Sequence, residues 1–441
     1  MSKKDYFSKT LDLFNPERVK SAPEALKGIK ILEMATLILG PEVPTYLAEF
    51  GATVIKVELP GVGDTMRSLT PYATFYKNQA LGFVQLSRNK YHCTLDVRKP
   101  EGVEIFKKLA SEVDIVVENL RSGTTDRWGI GYRQLKEINP KLIYIALNGF
   151  GQWGDYTDRP AYDAVAQSET GFAAINGFPE SSPMKAGIWV ADHFGALMGA
   201  NAVLAALHYR SRTGKGQFIE FSQVENLMRV MGWTWPYIQK TKQDRKRSGN
   251  MDLSIVPSGV FKSADGKFIA VSAVTDAGFA GLATAMGDPD LRLDPRFKSQ
   301  IERSRSKNAQ LLNDMLKEWV TQNDAAAIET AASRYGFAAH RVYNSGDHVK
   351  DEHLGTRNFI HEFTDPKGGK FAFEGTQPHL SATPGRVKWA MKEVGADNDY
   401  VFKEFLKLTD EQISELEDKG IIGGYTDMLG RTPPIDKKEA K

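Results

Sequence analysis

The stretch GIKILEMATLILGPEVPTYLAEFGATVIKVE, residues 28–58, decides the fold of this 441-residue chain. It opens on the short apolar run 28–33, which predicts a buried strand. A helix is predicted over 41–50, with a proline in its first turn and Gly51 just after its last. Residues 52–57 then predict a second strand. Strand, helix and strand in this order indicate a parallel βαβ unit.

The same alternation continues downstream. Helices are predicted over 100–112 and 132–139, and strands over 114–120 and 142–147. Such alternation is typical of a doubly wound α/β sheet, which binds ligands at the carboxyl ends of its strands. We therefore expect the site in the loops that follow these strands.

A dinucleotide cofactor is not indicated by the first of these loops. Glu58 does end the second strand, where a dinucleotide-binding fold places its ribose-binding acid. The segment 35–41, however, contains a single glycine, Gly40, instead of the G-x-G-x-x-G fingerprint. An NAD site therefore loses its main support.

The middle of the chain has a different pattern. The turn signal Ala264-Asp-Gly266 separates two short strand-like runs, and amphipathic helices are predicted over 308–322 and 325–335. We predict a large α/β domain over 1–224, a smaller α+β domain over 225–325, and a linker over 326–441 that returns to the large domain.

Composition excludes several functional classes. Hydrophobic residues make up 41% and charged residues 25% of the chain, which is the balance of a globular protein. Lysine and arginine number 57 against 55 acids, so the net charge of +2 gives no global attraction to nucleic acid or to a membrane. No apolar run reaches the roughly 18 residues of a membrane helix.

Cysteine and histidine usage points to a cytoplasmic protein without a metal site. Cys93 is the single cysteine, which excludes an intrachain disulfide and fits a reducing compartment. The first twenty residues lack the apolar core of a secretory signal. The eight histidines are scattered and form no H-E-x-x-H motif.

Asp192 is the carboxylate that the sequence singles out. It lies in GIWVADHFG, residues 187–195, directly before a predicted helix over 193–209 that is rich in alanine and glycine. One interpretation is a helix N-cap, which contributes about 1 kcal/mol. The other is a nucleophile, because a helix N-terminus keeps a carboxylate ionised and carboxylates form covalent intermediates.

Basic side chains lie close behind several predicted strands. They are Arg67, Arg98 and Arg127. Each alone is typical of a solvated surface, but together at one edge of a sheet they would suit a phosphate-rich ligand.

Six segments carry a resemblance to a known family. They are GPEVPTYLAEFGATVIKVELPGVGDTMR, NKYHCTLDVRKPEG, DIVVENLRSGTTDRWGIGY, LIYIALNGFGQWG, AYDAVAQSETG and ALHYRSRTGKGQ. With them, the chain resembles the class III CoA-transferases from about residue 28 to its C-terminus. That family includes formyl-CoA transferase, carnitine CoA-transferase and the aromatic-acid CoA-transferases.

The resemblance implies both a fold and a site. It implies two chains interlocked as rings, each with a Rossmann-like large domain made from both chain ends and a smaller domain between. It implies that Asp192 is the catalytic aspartate and that coenzyme A is bound as an acyl-CoA substrate. The CoA-contacting positions fall on Leu39, Arg67, Leu95, Asp96, Val97, Arg98, Asn119, Leu120, Arg127, Tyr162 and Asp163.

Departures from formyl-CoA transferase bear on the acid. Ile38 stands in place of a glutamine that helps to hold oxalate, and Leu59 in place of an arginine. Formyl-CoA transferase also has a run of four glycines, a mobile loop over its active site, and this run has no counterpart near residues 245–260 of this chain. Together with Trp189, Ile38 favours a larger acid, aromatic or branched, although the sequence names neither the acid nor the donor.

Two alternatives stay open. α-Methylacyl-CoA racemases share the fold and the aspartate, but they carry a histidine where this chain has Tyr162. Some heteromeric family enzymes contain a CoA-binding subunit without the aspartate, whereas Asp192 is present here. We therefore expect an active transferase, acting on an acyl-CoA and a free carboxylic acid, as a homodimer or with a homologous subunit.

Overall fold

A computed structural model describes residues 3–76, 79–357, 359–364 and 370–424. The chain divides into two compact units. The large unit comprises Met1–Thr170, Gly187–Gly232 and Asn358–Lys441, and the small unit comprises Gly171–Ala186 and Trp233–Arg357. These bounds differ from the predicted ones: the small unit gains 171–186 and 326–357 and loses 225–232.

In the described residues, eight strands of the large unit come first along the chain, three strands of the small unit follow, and two more strands of the large unit come last. They are β1 Lys30–Met34, β2 Thr53–Glu58, β3 Phe75–Tyr76, β4 Gln79–Ala80, β5 Lys90–Thr94, β6 Ile115–Glu118, β7 Ile143–Asn148, β8 Gln217–Ser222, β9 Ser258–Lys262, β10 Phe268–Ser272, β11 Ala338–Arg341, β12 Ile360–Thr364 and β13 Lys370–Glu374.

Helices lie between these strands in both units. In chain order they are α1 Lys3–Leu13, α2 Pro16–Ser21, α3 Leu39–Glu49, α4 Leu81–Leu86, α5 Pro100–Ser111, α6 Thr124–Arg127, α7 Tyr132–Ile138, α8 Asp163–Glu169, α9 Phe172–Ile175, α10 Val190–Thr213, α11 Gln223–Arg229, α12 Thr234–Thr241, α13 Asp276–Ala285, α14 Gln300–Arg303, α15 Ser306–Thr321, α16 Ala325–Tyr335, α17 Ser345–Lys350, α18 Glu352–Thr356, α19 Asn398–Leu406 and α20 Asp410–Asp418.

The large unit is built on a parallel six-stranded sheet in the order β5-β2-β1-β6-β7-β8. Each neighbouring pair is parallel. Counted along the chain, this is the 3-2-1-4-5-6 order of a dinucleotide-binding fold. The order reverses between β1 and β6, so the crevice at their carboxyl ends is where such a sheet places its ligand. The predicted parallel α/β sheet is confirmed.

Helices cover both faces of this sheet, because successive strand residues point to opposite sides. Leu32 belongs to a core with α5, α7, α19 and α20. Its neighbour Ile31 belongs to a second core with α3 and α10. The pattern is that of a doubly wound sheet buried on both faces, which explains the nearly continuous apolar strands.

The open side of β5 is closed by the end of the chain. The backbone of Asn89 donates to the carbonyl of Trp389, and that of Asp397 donates to His92. The Asn398 side chain accepts from Thr94 N–H at 2.8 Å. This C-terminal segment therefore pairs an edge that would otherwise present free backbone groups, and it belongs to the large unit.

A buried charge network lies under the carboxyl ends of β1 and β2. Lys56 Nζ donates to Glu33 Oε1 at 2.7 Å and lies 2.8 Å from Asp64 Oδ2. Lys90 Nζ lies 2.8 Å from the second Glu33 oxygen and donates to the carbonyl of Pro41 at 2.6 Å. The network holds the start of α3 against the sheet.

The small unit has its own antiparallel sheet, β11-β10-β9. The hairpin β9–β10 forms around the predicted turn, with Lys262 opposite Phe268. Helices α13, α15 and α16 share one apolar core with this sheet. The two amphipathic helices predicted in this region are confirmed as α15 and α16.

Helix α10 is the longest helix of the described chain, with 24 residues. By length and composition it is apolar enough to cross a membrane, and 39% of its most apolar window is buried inside the protein. A core helix passes the same test. One side of α10 packs on α3 and the sheet, while Leu197 and Leu204 are 51% and 45% exposed.

Candidate active site

The loops after β1 and β6 are tied together at the reversal point of the sheet. Thr36 N–H donates to Asn119 Oδ1 at 2.9 Å, and Asn119 Nδ2 donates to the Thr36 carbonyl at 2.7 Å. Leu37 has a left-handed φ of 67°, and its N–H is held by Asp64 Oδ1 at 3.0 Å. A strained backbone held by buried partners is typical of a functional loop.

Ile38, which is predicted to contact the substrate acid, is surrounded by apolar side chains. Ile38 is the N-cap residue of α3 and its side chain makes no capping hydrogen bond. It is 6% exposed and packs in a cluster with Met66, Phe83 and Leu86. Its side chain therefore belongs to the core, where burial of apolar surface against these neighbours stabilises the fold.

Leu39, a predicted CoA contact, also turns inward. It is 6% exposed. A Cβ added at Gly195 would lie 2.6 Å from Leu39 Cδ1, so the glycine lets α10 pack directly on α3. The Leu39 side chain is thereby committed to joining these two helices.

Asp192 lies inside α10, not before it. The helix begins at Val190 and its N-cap residue is Trp189, whose side chain makes no capping hydrogen bond. The N-cap interpretation of Asp192 is therefore wrong. The capping role belongs to Asp163, whose Oδ1 accepts from Ala191 N–H at 2.8 Å while its Oδ2 accepts from Gln167 at 2.6 Å.

The Asp192 carboxylate is held by an amide. Gln223 Nε2 donates to Asp192 Oδ1 at 2.6 Å. Burial, followed by the charge of Asp163, raises the Asp192 pKa to about 7, against the opposing influence of His193 and Gln223. Because carboxylates in like-charged, desolvated surroundings favour the neutral form, a near-neutral pKa follows.

An imidazole–carboxylate pair flanks the nucleophile candidate. His193 Nδ1 lies 2.8 Å from Glu42 Oε2, and Tyr46 donates from its hydroxyl to Glu42 Oε1 at 2.8 Å. The hydrogen bond with Glu42 raises the pKa of His193. The first two turns of α3 and the first turn of α10 thus carry a chain of three polar side chains, Tyr46, Glu42 and His193, the last of which is next in sequence to Asp192.

Arg98 and Arg127 keep their guanidinium groups accessible after β5 and β6. Arg98 pairs with Asp96 at 2.7 Å and 58% of its side chain is exposed. Arg127 is exposed on α6 and donates to Thr124 Oγ1 at 2.9 Å. Both remain able to meet phosphate groups, for which the arginine fork is suited.

Arg67, also a predicted CoA contact, has its guanidinium group buried against other residues of the protein. It is 5% exposed, and Nε and Nη2 donate to the two oxygens of Glu58 at 2.7 and 2.6 Å. Nη1 donates to Gln79 and to the Lys392 carbonyl, both at 2.9 Å. With its donors used inside the protein, Arg67 anchors the end of β2. The same pair occupies Glu58, the residue at the ribose-binding position.

The remaining predicted contacts divide by exposure. Leu95 and Val97 are 2% and 7% exposed and belong to the core under the sheet, so their side chains pack inward, and their role as CoA contacts stays a prediction. Leu120 is half-buried, and its N–H donates to Glu118 Oε2 at 2.7 Å. Tyr162 and Trp189, at 67% and 45%, are exposed at the N-termini of α8 and α10.

Sequence reasoning missed Gln223, Glu42 and His193. Gln223 directly follows the carboxyl end of β8, the same position that singled out the other candidates. Glu42 follows the loop after β1, and His193 is adjacent to Asp192. Among the described residues, no group of three or more His, Cys, Asp or Glu side chains could hold a metal ion.

Comparison with known proteins places this chain in a family. Residues 26–398 match CoA-transferase family III. The chain is 36% identical over 400 residues to the succinyl-CoA–D-citramalate CoA-transferase of Chloroflexus aurantiacus, covering 91% of this chain and 98% of that one. It is 34% identical over 401 residues to the β subunit of a succinyl-CoA–L-malate CoA-transferase of the same organism, covering 90% and 98%.

A solved structure shares the fold. A CAIB/BAIF family protein from Brucella suis superposes with a TM-score of 0.75 at 30% identity, covering 87% of this chain and 100% of that one. Both sequence relatives are named as CoA-transferases, which favours transfer over the racemase alternative. The chain belongs to the class III CoA-transferases and is an enzyme of that family.

Proposed function

We propose that this enzyme moves CoA from succinyl-CoA to a free carboxylic acid through covalent intermediates on Asp192. The observation that carries the proposal is the setting of Asp192. Its carboxylate lies in the first turn of α10, held by Gln223 at 2.6 Å, with a pKa near neutrality. An ionised carboxylate that is desolvated and oriented is a competent nucleophile.

In the first half of the reaction, an Asp192 oxygen attacks the thioester carbonyl of the donor. The carbon–sulfur bond breaks and CoA leaves as the thiolate, which gives a mixed anhydride. The thiolate then attacks the aspartyl carbonyl and breaks the anhydride. An aspartyl-CoA thioester remains, and the donor acid leaves as a carboxylate.

The second half runs these steps in reverse with the acceptor. Its carboxylate attacks the aspartyl thioester and releases CoA thiolate, forming a second mixed anhydride. The thiolate attacks the acceptor carbonyl, which yields the new acyl-CoA and restores Asp192. Thioester energy is retained because water is kept from the acyl groups.

CoA is proposed to lie across the carboxyl ends of the sheet. Arg98 and Arg127 would hold its phosphates, since both guanidinium groups are exposed and charge-assisted hydrogen bonds to phosphate are among the strong ones. The paired Thr36 and Asn119 loops would line the crevice. The chemistry requires no metal.

The acceptor is proposed to be a branched or aromatic-substituted acid that carries a second carboxylate. Trp189, half-exposed on the same turn as Asp192, offers an apolar surface for a substituent. The relatives are named for D-citramalate and L-malate, the first of which is a methyl-branched dicarboxylate. Ile38 no longer contributes to this argument because it is buried.

The proposed assembly is an interlocked-ring pair of chains in the cytoplasm. The apolar side of α10 that carries Leu197 and Leu204 supports an interface with a second chain. A homologous subunit could replace the second copy, as the malate enzyme named above has a β subunit.

The test is the mass of the covalent intermediate. Incubated with succinyl-CoA, the wild-type chain should gain the mass of CoA less one water, and Asp192→Ala should show neither this adduct nor turnover. Asp399→Ala is the matched control, because it removes an exposed aspartate from the first turn of α19. Substantial transfer by Asp192→Ala would contradict the assignment.

A further inference from the structure

A histidine lies one residue from the proposed nucleophile. His193 follows Asp192 in the first turn of α10, and 29% of its side chain is exposed. Nδ1 is taken by Glu42 at 2.8 Å. Within the described chain, Nε2 of His193 makes no hydrogen bond, so it is the atom that a ligand can reach.

Glu42 orients this imidazole, and Tyr46 in turn holds Glu42. The Glu42 side chain is 6% exposed, and its second oxygen accepts from Tyr46 at 2.8 Å. The hydrogen bond that His193 donates to Glu42 and the charges of Glu42, Asp192 and Asp163 all raise the pKa of His193, against the effect of burial. These influences favour the imidazolium form of His193, in which Nε2–H is a hydrogen-bond donor.

The other charged groups that face His193 are acidic. Glu42 lies on α3, Asp163 on α8 and Asp192 on α10 itself. Asp163 already accepts two hydrogen bonds, so it offers a bound anion no attraction. A second substrate carboxylate that entered beside Asp192 would be repelled by these groups unless it met His193.

We propose that His193 binds the distal carboxylate of a dicarboxylic acyl group and thereby selects succinyl-CoA and dicarboxylic acceptors over their monocarboxylic analogues. The inference rests on the proposed function, because it requires the thioester carbonyl to lie at Asp192. Two methylene groups separate the carboxyl carbons of a succinyl group. Neighbouring positions of a helix point about 100° apart, and the two methylene groups of a succinyl chain would let its two carboxyl carbons reach both side chains. Trp189 lies beside His193, with ring centroids 6.3 Å apart.

The experiment measures the first half-reaction, which needs no knowledge of the acceptor. Formation of the aspartyl-CoA adduct is followed by intact mass at a series of donor concentrations. Succinyl-CoA is compared with butyryl-CoA, which has the same number of carbons but no distal carboxylate. The variants are His193→Gln, which removes the charge, and His208→Gln, which makes the same change at an exposed position near the other end of α10.

His193→Gln should raise the half-saturating concentration of succinyl-CoA about tenfold or more, as expected for loss of a charge-assisted hydrogen bond. Butyryl-CoA should change less than about twofold, within the effect of a surface substitution. His208→Gln should leave both donors unchanged. An equal change for the two donors, or none, would overturn the proposal.

The wild-type chain supplies a second measurement that does not depend on folding of the variant. The preference for succinyl-CoA over butyryl-CoA should fall as the pH rises through the pKa of His193, while protonation of Asp192 affects both donors alike. A preference that stays flat with pH contradicts the role of His193. Absence of any adduct on the wild type would instead contradict the proposed function, so the two failures are distinguishable.

Discussion

Asp192 is subject to opposing influences within one turn of helix. Burial and Asp163 raise its pKa to about 7, and His193 and Gln223 lower it. Because attack requires the ionised carboxylate, we expect the rate of adduct formation to fall as the pH drops through about 7. A single-turnover pH profile measures this acid limb, and a rate independent of pH between 6 and 8 would contradict it.

Gln223 tests the same property from the opposite side. Its amide donates to the carboxylate, so it favours the ionised form. Gln223→Leu should move the acid limb to higher pH by about one unit, the size expected for losing a hydrogen bond to a charged group. If the limb stays in place while the rate falls uniformly, Gln223 only supports the packing.

Arg127 and Arg67 separate binding from stability among the arginines. Arg127→Gln should raise the KM for succinyl-CoA severalfold with an unchanged melting temperature, since the side chain is exposed.

Arg67→Met should do the reverse. It leaves the buried Glu58 carboxylate without its guanidinium partner, with only Asp64 N–H at 2.8 Å and His92 Nδ1 at 2.9 Å beside it. Removing one partner of a buried ion pair costs about 3–5 kcal/mol, and thermal unfolding would report it. A folded, stable Arg67→Met enzyme with a large increase in KM would instead indicate that Arg67 contacts CoA.

At the scale of elements, helix α10 depends on a carboxylate that comes from α8. Asp163→Asn keeps an oxygen for Ala191 N–H but removes the charge beside Asp192. We expect the acid limb of the rate to move to lower pH with little loss of stability.

Asp163→Ala removes the cap as well. The same pH shift should then come with a loss of about 1 kcal/mol in the free energy of unfolding. Urea denaturation of the two variants separates charge from cap. If Asp163→Asn lost as much stability as Asp163→Ala, the charge and not the cap would be the stabilising feature.

The elements themselves were largely predictable, because local periodicity determines them. The strands after residues 28 and 52, the helix between them and the hairpin around Asp265 lie where the apolar pattern placed them. The start of α10 was not. Aspartate is favoured at an N-cap, which made a cap one of the two interpretations of Asp192, whereas the cap is supplied by Asp163 from 28 residues away.

At the scale of the whole molecule, the exposed side of α10 predicts an assembly. We expect light scattering to give the mass of at least two chains. Leu204→Arg should shift the protein to the monomer, because a charge on a contact surface is left without a partner. Lys215→Glu, an exposed change just beyond the same helix, is the control. A wild-type monomer would contradict the assembly.

The site was only partly predictable, since direction depends on tertiary contacts. Sequence position singled out Asp192, Arg98 and Arg127, because each lies near the end of a predicted strand or the start of a predicted helix, and the family resemblance added Asn119. It could not tell that Arg67 turns inward to Glu58, because an arginine after a strand faces solvent or core according to partners far away in the chain. Glu42 and His193, on two different helices, meet for the same reason.

The closure of β5 by the segment around 389–398 has a consequence for synthesis. The ribosome completes ten described helices and all six main-sheet strands of the large unit, together with the small unit, before it releases the residues that cover this edge. During that interval a nascent chain exposes a bare strand beside an apolar face, the kind of surface that pairs with other chains. Stop codons shortly before residue 389 should therefore produce insoluble protein even though Asp192 and its neighbours have already been translated.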